Sequence, residues 1–276
     1  MGPVSRSGRT AVTSHSSPGA VPATLSPAQL EHELALARAV QQSLFPESLP
    51  TLPGVRLAAA NHPARIVSGD LYDIIKIDPE RIALLCADVS GKGFAAALLA
   101  SEVYAYVRST LKAACVFADP TLGPLPVQVV TLLNAQAVRR NAAGKYATMF
   151  FAEFDASARS LCYVNAGHNP PLMFTDAGVS ELTVGGPPVG LFEDSAYEAA
   201  TVTVPDRGTV LIYTDGIVEA RNAQDEEFGL ARLIEVCGGT YRGVEQLPAT
   251  VMAAVQAWAG AVDQDDDITL IVLGVA

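Results

Sequence analysis

Basic residues are scarce in this chain: 18 Lys and Arg stand against 29 Asp and Glu, for a formal charge of -11 and a pI of about 4.8. Binding along a phosphate backbone depends on clustered Lys and Arg, so the balance excludes nucleic-acid partners. Cysteine is sparse too. Cys86, Cys115, Cys162 and Cys237 form no close pair and lie in apolar surroundings, which fits buried free thiols in a reducing compartment rather than a disulfide framework. No apolar run approaches the roughly 20 residues of a membrane span, and no segment has the order of a secretory signal, so the expected setting is cytoplasmic with no membrane partner. There is no internal repeat and no Gly-rich nucleotide loop ending in Lys-Ser/Thr, which disfavours a nucleotide hydrolase.

What the chain has is apolar bulk: half of its 276 residues are hydrophobic, enough for one large domain or two small ones. Residues 1–26 are rich in Ser, Pro, Gly and Thr, and the first acidic residue is Glu31; a disordered tail is expected, in preference to a transit peptide. Residues 27–53 read as a helix and linker. Ser26 can cap the helix and Pro27 suits its first turn. Leu30, Leu34, Ala37 and Leu44 then recur at steps of three and four up to residue 44, with Gln41 interrupting the stripe. Such a helix packs on its own domain or serves as a short dimerising or signal-transmitting coil. Pro46, Pro50 and Pro53 end it and mark the entry to a main domain over 54–276. No sensor, kinase or receiver domain is recognisable, so regulation is expected from a partner, from the helix over 27–44, or from expression.

From Val55 onward, strands are predicted over 55–61, 71–77, 82–88, 147–155, 160–165, 171–175, 199–204, 209–215 and 268–275. Helices are predicted over 93–115, 121–141, 229–237 and 244–260. The connections Asp78-Pro79-Glu80 and Asp155 to Arg159 are too short for parallel crossovers, so the strands they join are antiparallel. The fold class is α+β, with two mostly antiparallel sheets covered by helices.

Four short acidic clusters carry the chemistry: Ser68-Gly69-Asp70, Asp88-Val89-Ser90-Gly91-Lys92-Gly93, Thr214-Asp215-Gly216 and Asp265-Asp266-Asp267-Ile268-Thr269. If Asp78-Pro79-Glu80 is a three-residue hairpin loop, Ile77 faces Arg81, and counting outward sets Asp70 opposite Asp88 on one sheet face. Asp215 ends another apolar strand, and Asp266 stands just before the last one. An antiparallel last strand brings all four carboxylates together. Each like-charged pair about 4 Å apart repels by roughly 4 kcal/mol at an effective dielectric of 20, so the cluster needs compensating charge. Two divalent cations of the hard, oxygen-preferring kind, Mg²⁺ or Mn²⁺, supply it and acidify a water for attack on phosphorus. The expectation is a metal-dependent hydrolase that needs no Ser, Cys or His nucleophile.

These segments resemble a known family. Val67-Ser68-Gly69-Asp70-Leu71-Tyr72-Asp73, Ala87 to Gly93, Asn165-Ala166-Gly167-His168-Asn169-Pro170-Pro171, Tyr213 to Gly216 and Asp266 to Thr269 are similar, in order, to the motifs of the SpoIIE- and RsbU-like bacterial serine phosphatases. These belong to the metal-dependent (protein phosphatase 2C) superfamily. The resemblance spans about residues 30–276 and includes the approach Gln41-Gln42-Ser43-Leu44-Phe45-Pro46. It implies a four-layer αββα sandwich with two Mn²⁺ or Mg²⁺ ions between the sheets, and hydrolysis of phosphoserine or phosphothreonine on a protein. It also implies that Asp88 bridges both ions, that the Val89 carbonyl binds one, that Asp215 and Asp266 hold the other, and that Asp70 binds directly or through water. The substrate class it implies is a STAS-type anti-anti-sigma factor. Ser68 stands where glycine is usual, and the acidic triplet leaves Asp266 against Asp267 open by one residue.

Other residues carry weaker expectations. Asp73 supports the ligands or is a solvated strand residue. Lys92 and Arg65 are candidates for holding substrate phosphate, although five residues separate Arg65 from Asp70, which puts the two on opposite faces of a regular strand. His168 is a candidate general acid, against a plain turn role among Asn165, Gly167 and Asn169-Pro170-Pro171. Gly91 and Gly93 suit a tight strand-to-helix turn better than a phosphate cradle. Glu219 and Asp225 read as surface charges. The rival to an enzyme is a catalytically silent module that keeps the fold and binds a phosphoprotein.

Overall fold

β3 (Arg81–Val89) and β11 (Ile268–Val275) are almost wholly apolar, and each lies inside a sheet with both faces covered. The computed structural model describes residues 26–116, 121, 123–140, 144–238 and 243–276. Around those two strands run, in chain order, α1 (Pro27–Gln42), β1 (Val55–His62), β2 (Asp70–Lys76), β3, α2 (Phe94–Val116), α3 (Leu125–Arg140), β4 (Ala147–Asp155) and β5 (Ser160–Ala166). Then follow β6 (Leu172–Thr175), β7 (Gly178–Glu181), β8 (Gly185–Gly186), β9 (Ala200–Thr203), β10 (Thr209–Tyr213), α4 (Asp215–Val218), α5 (Gly229–Cys237), α6 (Leu247–Ala259) and β11.

One sheet has the order β1-β11-β10-β6-β7; the other has β2-β3-β4-β5-β8, with β9 paired to β5. All pairings are antiparallel except β5 with β8. Side chains alternate between faces along each strand. Tyr72, Leu84, Phe150, Ile212 and Ile271 fill the space between the sheets, Leu85 and Phe151 pack under α2 and α3, and Leu211 and Leu270 pack under α5 and α6. The result is the expected αββα sandwich.

The β2–β3 turn forms as its three-residue length requires. Ile77 donates to the Arg81 carbonyl at 2.9 Å, and Asp78 caps the turn by accepting from the Glu80 and Arg81 amides. Asp70 therefore pairs with Asp88. Two short strands, β7 and β8, and the one-turn α4 were not expected; the strand predicted over 209–215 ends at Tyr213, and Asp215 opens α4. The thiols divide: Cys86 and Cys237 are buried and Cys162 is half-buried, but Cys115, in the last turn of α2, is exposed, contrary to the expectation of burial.

Helix α1 begins with a capping box: the Gln29 amide donates to the Ser26 hydroxyl oxygen, and the Ser26 amide donates to the Gln29 side chain. Ser26 is the one described residue of the expected tail. The first two turns of α1 lie open, while Leu34, Ala37 and Leu44 are half-buried. Gln41, the residue that interrupts the stripe, is the buried one. Its amide donates to the Ser68 carbonyl at 2.6 Å and accepts from the Ser68 N–H at 2.8 Å. The linker continues this attachment, with Phe45 stacked on Tyr72 and Leu49 and Leu52 in the inter-sheet core, so linker and sandwich share one core.

Replacing Gln41 with Leu leaves two buried backbone groups of Ser68 unpaired, at about 1–3 kcal/mol each. The expected result is a thermal midpoint lower by roughly 5–10 °C, read by calorimetry. A Gln41→Leu protein as stable as the parent would show that the clasp contributes nothing.

Candidate active site

Asp70 opens β2 and Asp88 is next to last in β3, so the hairpin carries both to one end of the sandwich. By strand parity both face the other sheet, in line with Tyr72 and Cys86 of the inter-sheet core. Asp215 arrives from that other sheet as the first residue of α4. Asp266 lies in the loop before β11, which runs antiparallel to β10 and so begins where β10 ends. Gly216 permits this close approach, because a Cβ there would run into the Asp267 carbonyl.

Crowding shows in the acidities. Burial first, then Asp215, Asp266 and Asp267, pushes the Asp88 carboxyl up to about 7, with Lys92 acting against them. Burial, followed by Asp88, holds Asp70 well above the usual carboxylate range, and hydrogen bonds from Thr269 and Thr214 offset part of the rise. Asp215 is raised by burial and then by Asp266. Lys92 is the nearby counter-charge: its ammonium lies 3.0 Å from Asp266 Oδ2 and donates to the Asp265 carbonyl. The donor set is all oxygen and acidic, which suits a hard divalent cation. Among the described residues no three of these side chains close on one point as a finished cage. Several have other partners, and the rest repel one another.

Asp267 does different work from its neighbour. Its two carboxylate oxygens accept from the backbone amides of Ala64 at 2.8 Å and Gly69 at 2.6 Å, pinning the 63–69 loop beside β11. Asp266 keeps one oxygen on the Asp267 amide and offers the other to Lys92.

Three expectations need correction. Asp73 is neither beside the ligand cluster nor solvated: it points to the opposite sheet face, wholly buried, where Arg108 of α2 holds it with bonds of 2.7 and 3.2 Å. Arg65 is not on the far face of a strand, because 63–69 is a loop; it lines a shallow cleft with Val67, Gly91, Lys92, Gly93 and Asp265–Asp267. His168 is enclosed at 5% exposure, with Nδ1 3.0 Å from the Thr148 hydroxyl and its amide bonded to Asn165 Oδ1. Burial lowers its pKa to about 4, so the ring is neutral and carries no acid proton to a leaving oxygen. The turn role stands.

Sequence reasoning missed the polar layer beneath the carboxylates. Thr214, between the sheets, donates to Asp70 Oδ2 at 2.7 Å and accepts from the Thr269 amide at 2.9 Å, while Asn61 donates to the Thr269 hydroxyl at 2.8 Å. The available signal was parity: Thr214 and Thr269 lie two residues from Ile212 and Ile271 and so share their inward face.

Two facing sheets flanked by helices, with acidic residues gathered at one end of the seam, define a PP2C-type domain. The SiaA PP2C domain of Pseudomonas aeruginosa has this fold, with a TM-score of 0.74 at 19% identity over 89% of this chain and 96% of that one. The chain belongs to the SpoIIE family: the family model for Stage II sporulation protein E matches residues 78–276. It is 30% identical to protein IcfG of Synechocystis over 266 residues, 87% of this chain and 41% of that protein. It is 29% identical to the phosphoserine phosphatase RsbU of Bacillus subtilis over 251 residues, 89% of this chain and 70% of that one. The chain thus spans about two-fifths of the length of IcfG.

The raised pKa of Asp88 fixes the sign of a pH effect. A carboxyl whose folded pKa lies above its unfolded value costs stability once pH exceeds the unfolded value near 4, and the cost is complete above about 7. In chelator, Asp88→Asn is therefore expected to be more stable than the parent at pH 8, with the gap closing towards pH 4. Equal stability at both pH values in thermal melts would show that the carboxylates do not crowd Asp88.

Proposed function

We propose that this protein is a metal-dependent serine/threonine phosphatase acting on a phosphorylated protein. The observation that carries the reading is the arrival of Asp70, Asp88, Asp215 and Asp266 from four distant segments at one end of the inter-sheet seam, balanced only in part by Lys92. Their oxygens fit two Mn²⁺ or Mg²⁺ ions. Asp88 would bridge the pair, the Val89 carbonyl would join one ion, Asp215 and Asp266 would hold the other, and Asp70 would bind directly or through water. Asp267 is left out because backbone amides take both of its oxygens. When bound, the ions supply an acidified water and charge for the phosphoryl oxygens.

The chain's own residues supply the rest. Neutralising Asp266 frees Lys92 to meet a substrate phosphate oxygen, and Arg65 lines the same cleft. That cleft encloses only about 10 Å³, too little for a small substrate to be engulfed. A groove of about 360 Å³ adjoins it along Lys92, Glu219, Arg221, Gln256 and Asp263, which suits an extended protein segment. The likeness to RsbU supports a phosphorylated STAS-type anti-anti-sigma factor as substrate and a cytoplasmic setting. Among the described residues no helix is long and apolar enough to cross a membrane. Leu30, Leu36 and Val40 are exposed on α1 and support a homodimer through that helix. Light scattering on Leu36→Glu/Val40→Glu is expected to report half the parent mass; a parent already monomeric would remove the dimer.

The chemistry is tested by phosphate release from a serine-phosphorylated STAS protein, with Mn²⁺ or with chelator. Release that needs the metal and falls at least a hundredfold in Asp215→Asn is the expected result. No release in any condition, with Mn²⁺ and phosphoprotein still bound, would replace the enzyme by a silent binding module.

A further inference from the structure

We infer that Thr214 is a positioning residue that selects which oxygen of Asp70 is presented to a metal ion. The inference rests on the proposed metal-binding role of Asp70 and goes beyond it, to a residue that touches neither metal nor substrate.

Thr214 has one hydroxyl proton, and the structure leaves it one good acceptor. The Thr269 N–H, 2.9 Å away, points at the hydroxyl oxygen and occupies a lone pair. The proton then lies along the 2.7 Å line to Asp70 Oδ2; the carbonyls of Asp267 and Thr269, each at 3.5 Å, are the poorer alternatives. Thr269 repeats the device. Asn61 donates to its hydroxyl oxygen at 2.8 Å, so that hydroxyl too has a lone pair taken by a fixed donor. The Asp70 amide, bonded to Ser68 Oγ at 3.1 Å, fixes the backbone end of the same residue.

Thr214 is 0% exposed and Asp70 2%, so no water competes for these bonds. With Oδ2 committed to the Thr214 hydroxyl, Oδ1 is the oxygen left free to meet a cation, directly or through water. Rotating to offer Oδ2 would break a charge-assisted bond and strand a buried hydroxyl. The bond also joins the sheets, since Asp70 belongs to β2 and Thr214 follows β10. The geometry at Asp70 thus depends on how the two sheets are registered.

The test is Mn²⁺ binding by titration calorimetry on the full chain, for the parent, Thr214→Val, Thr214→Ser and Asp70→Asn. Thr209→Val is the control, because Thr209 carries a buried hydroxyl without a partner at the far end of β10. The valine variant is expected to bind Mn²⁺ about ten- to a hundredfold more weakly, the range seen when a partner of a metal ligand is removed. Serine should restore binding to near the parent, and Thr209→Val should leave it unchanged. Thr214→Val equal to the parent while Asp70→Asn is weakened would overturn the inference and leave the metal reading standing. Parent-like binding by both would remove Asp70 from the metal site and the inference with it. Equal weakening in the serine and valine variants would assign the effect to packing and overturn the hydroxyl's role. If the valine variant does not fold, Thr214→Ala is read by the same criteria.

Discussion

The acidic end of this molecule depends on a hydroxyl-to-carboxylate bond that crosses between two sheets, from Thr214 to Asp70. Apolar packing between sheets is non-directional. Tyr72, Cys86, Phe150, Ile212 and Ile271 set how far apart the sheets stand, but contacts of that kind define relative sliding poorly. A buried hydrogen bond is directional and costly to leave unmade, so it fixes registration at the layer where carboxylates from both sheets meet. The polar layer sits on a close-packed apolar floor. Charge, hydroxyls and hydrocarbon are therefore stacked in that order from the mouth inward, and only the mouth admits solvent.

Much of the fold was legible because its controlling features are local. A three-residue turn at Asp78-Pro79-Glu80 sets the β2–β3 register by counting alone, and that count carried Asp70 to Asp88. Long elements such as α2, β4 and β11 announce themselves by sustained apolar pattern. The elements that escaped lack such a pattern. β7 is exposed at all four positions, and β8 is a pair of glycines that reads as a turn. Gly185 can lie flush against the Asn165 backbone only because it has no side chain, a tertiary reason invisible in a local window. α4 is a single turn, too short for any periodicity.

At the site, residue identity was legible where parity applied and failed where side chains found distant partners. Parity carries Asp70 inward and Asp73 outward, yet the fate of Asp73 depends on Arg108, 35 residues away on another element. The Asp265–Asp267 triplet looks uniform in sequence. Its members separate once the 63–69 loop is folded against them, because only Asp267 lies where the Ala64 and Gly69 amides converge. Arg65 was assigned by extending a strand through what proved to be that loop. Gln41 looked like a defect in an apolar stripe and is instead the polar clasp that ties α1 to Ser68, two residues before Asp70.

Two ion pairs show how the molecule separates fixed charge from exchangeable charge. Asp73 is wholly buried and gripped by two nitrogens of a half-exposed guanidinium; removing Arg108 would leave a buried carboxylate without its charge partner. The Lys92–Asp266 pair has side-chain exposures of 48% and 41%, in the regime where an ion pair contributes about 0–1 kcal/mol. The Asp88 carboxyl stays raised to about 7 in spite of Lys92, so Lys92 relieves the cluster without satisfying it. Under the proposed function a divalent cation would take the place of Lys92 at Asp266 at little cost, whereas Arg108 holds its carboxylate on the opposite sheet face. The same hairpin therefore carries, on one face, a buried carboxylate paired with Arg108 and, on the other, the two carboxylates proposed to hold metal.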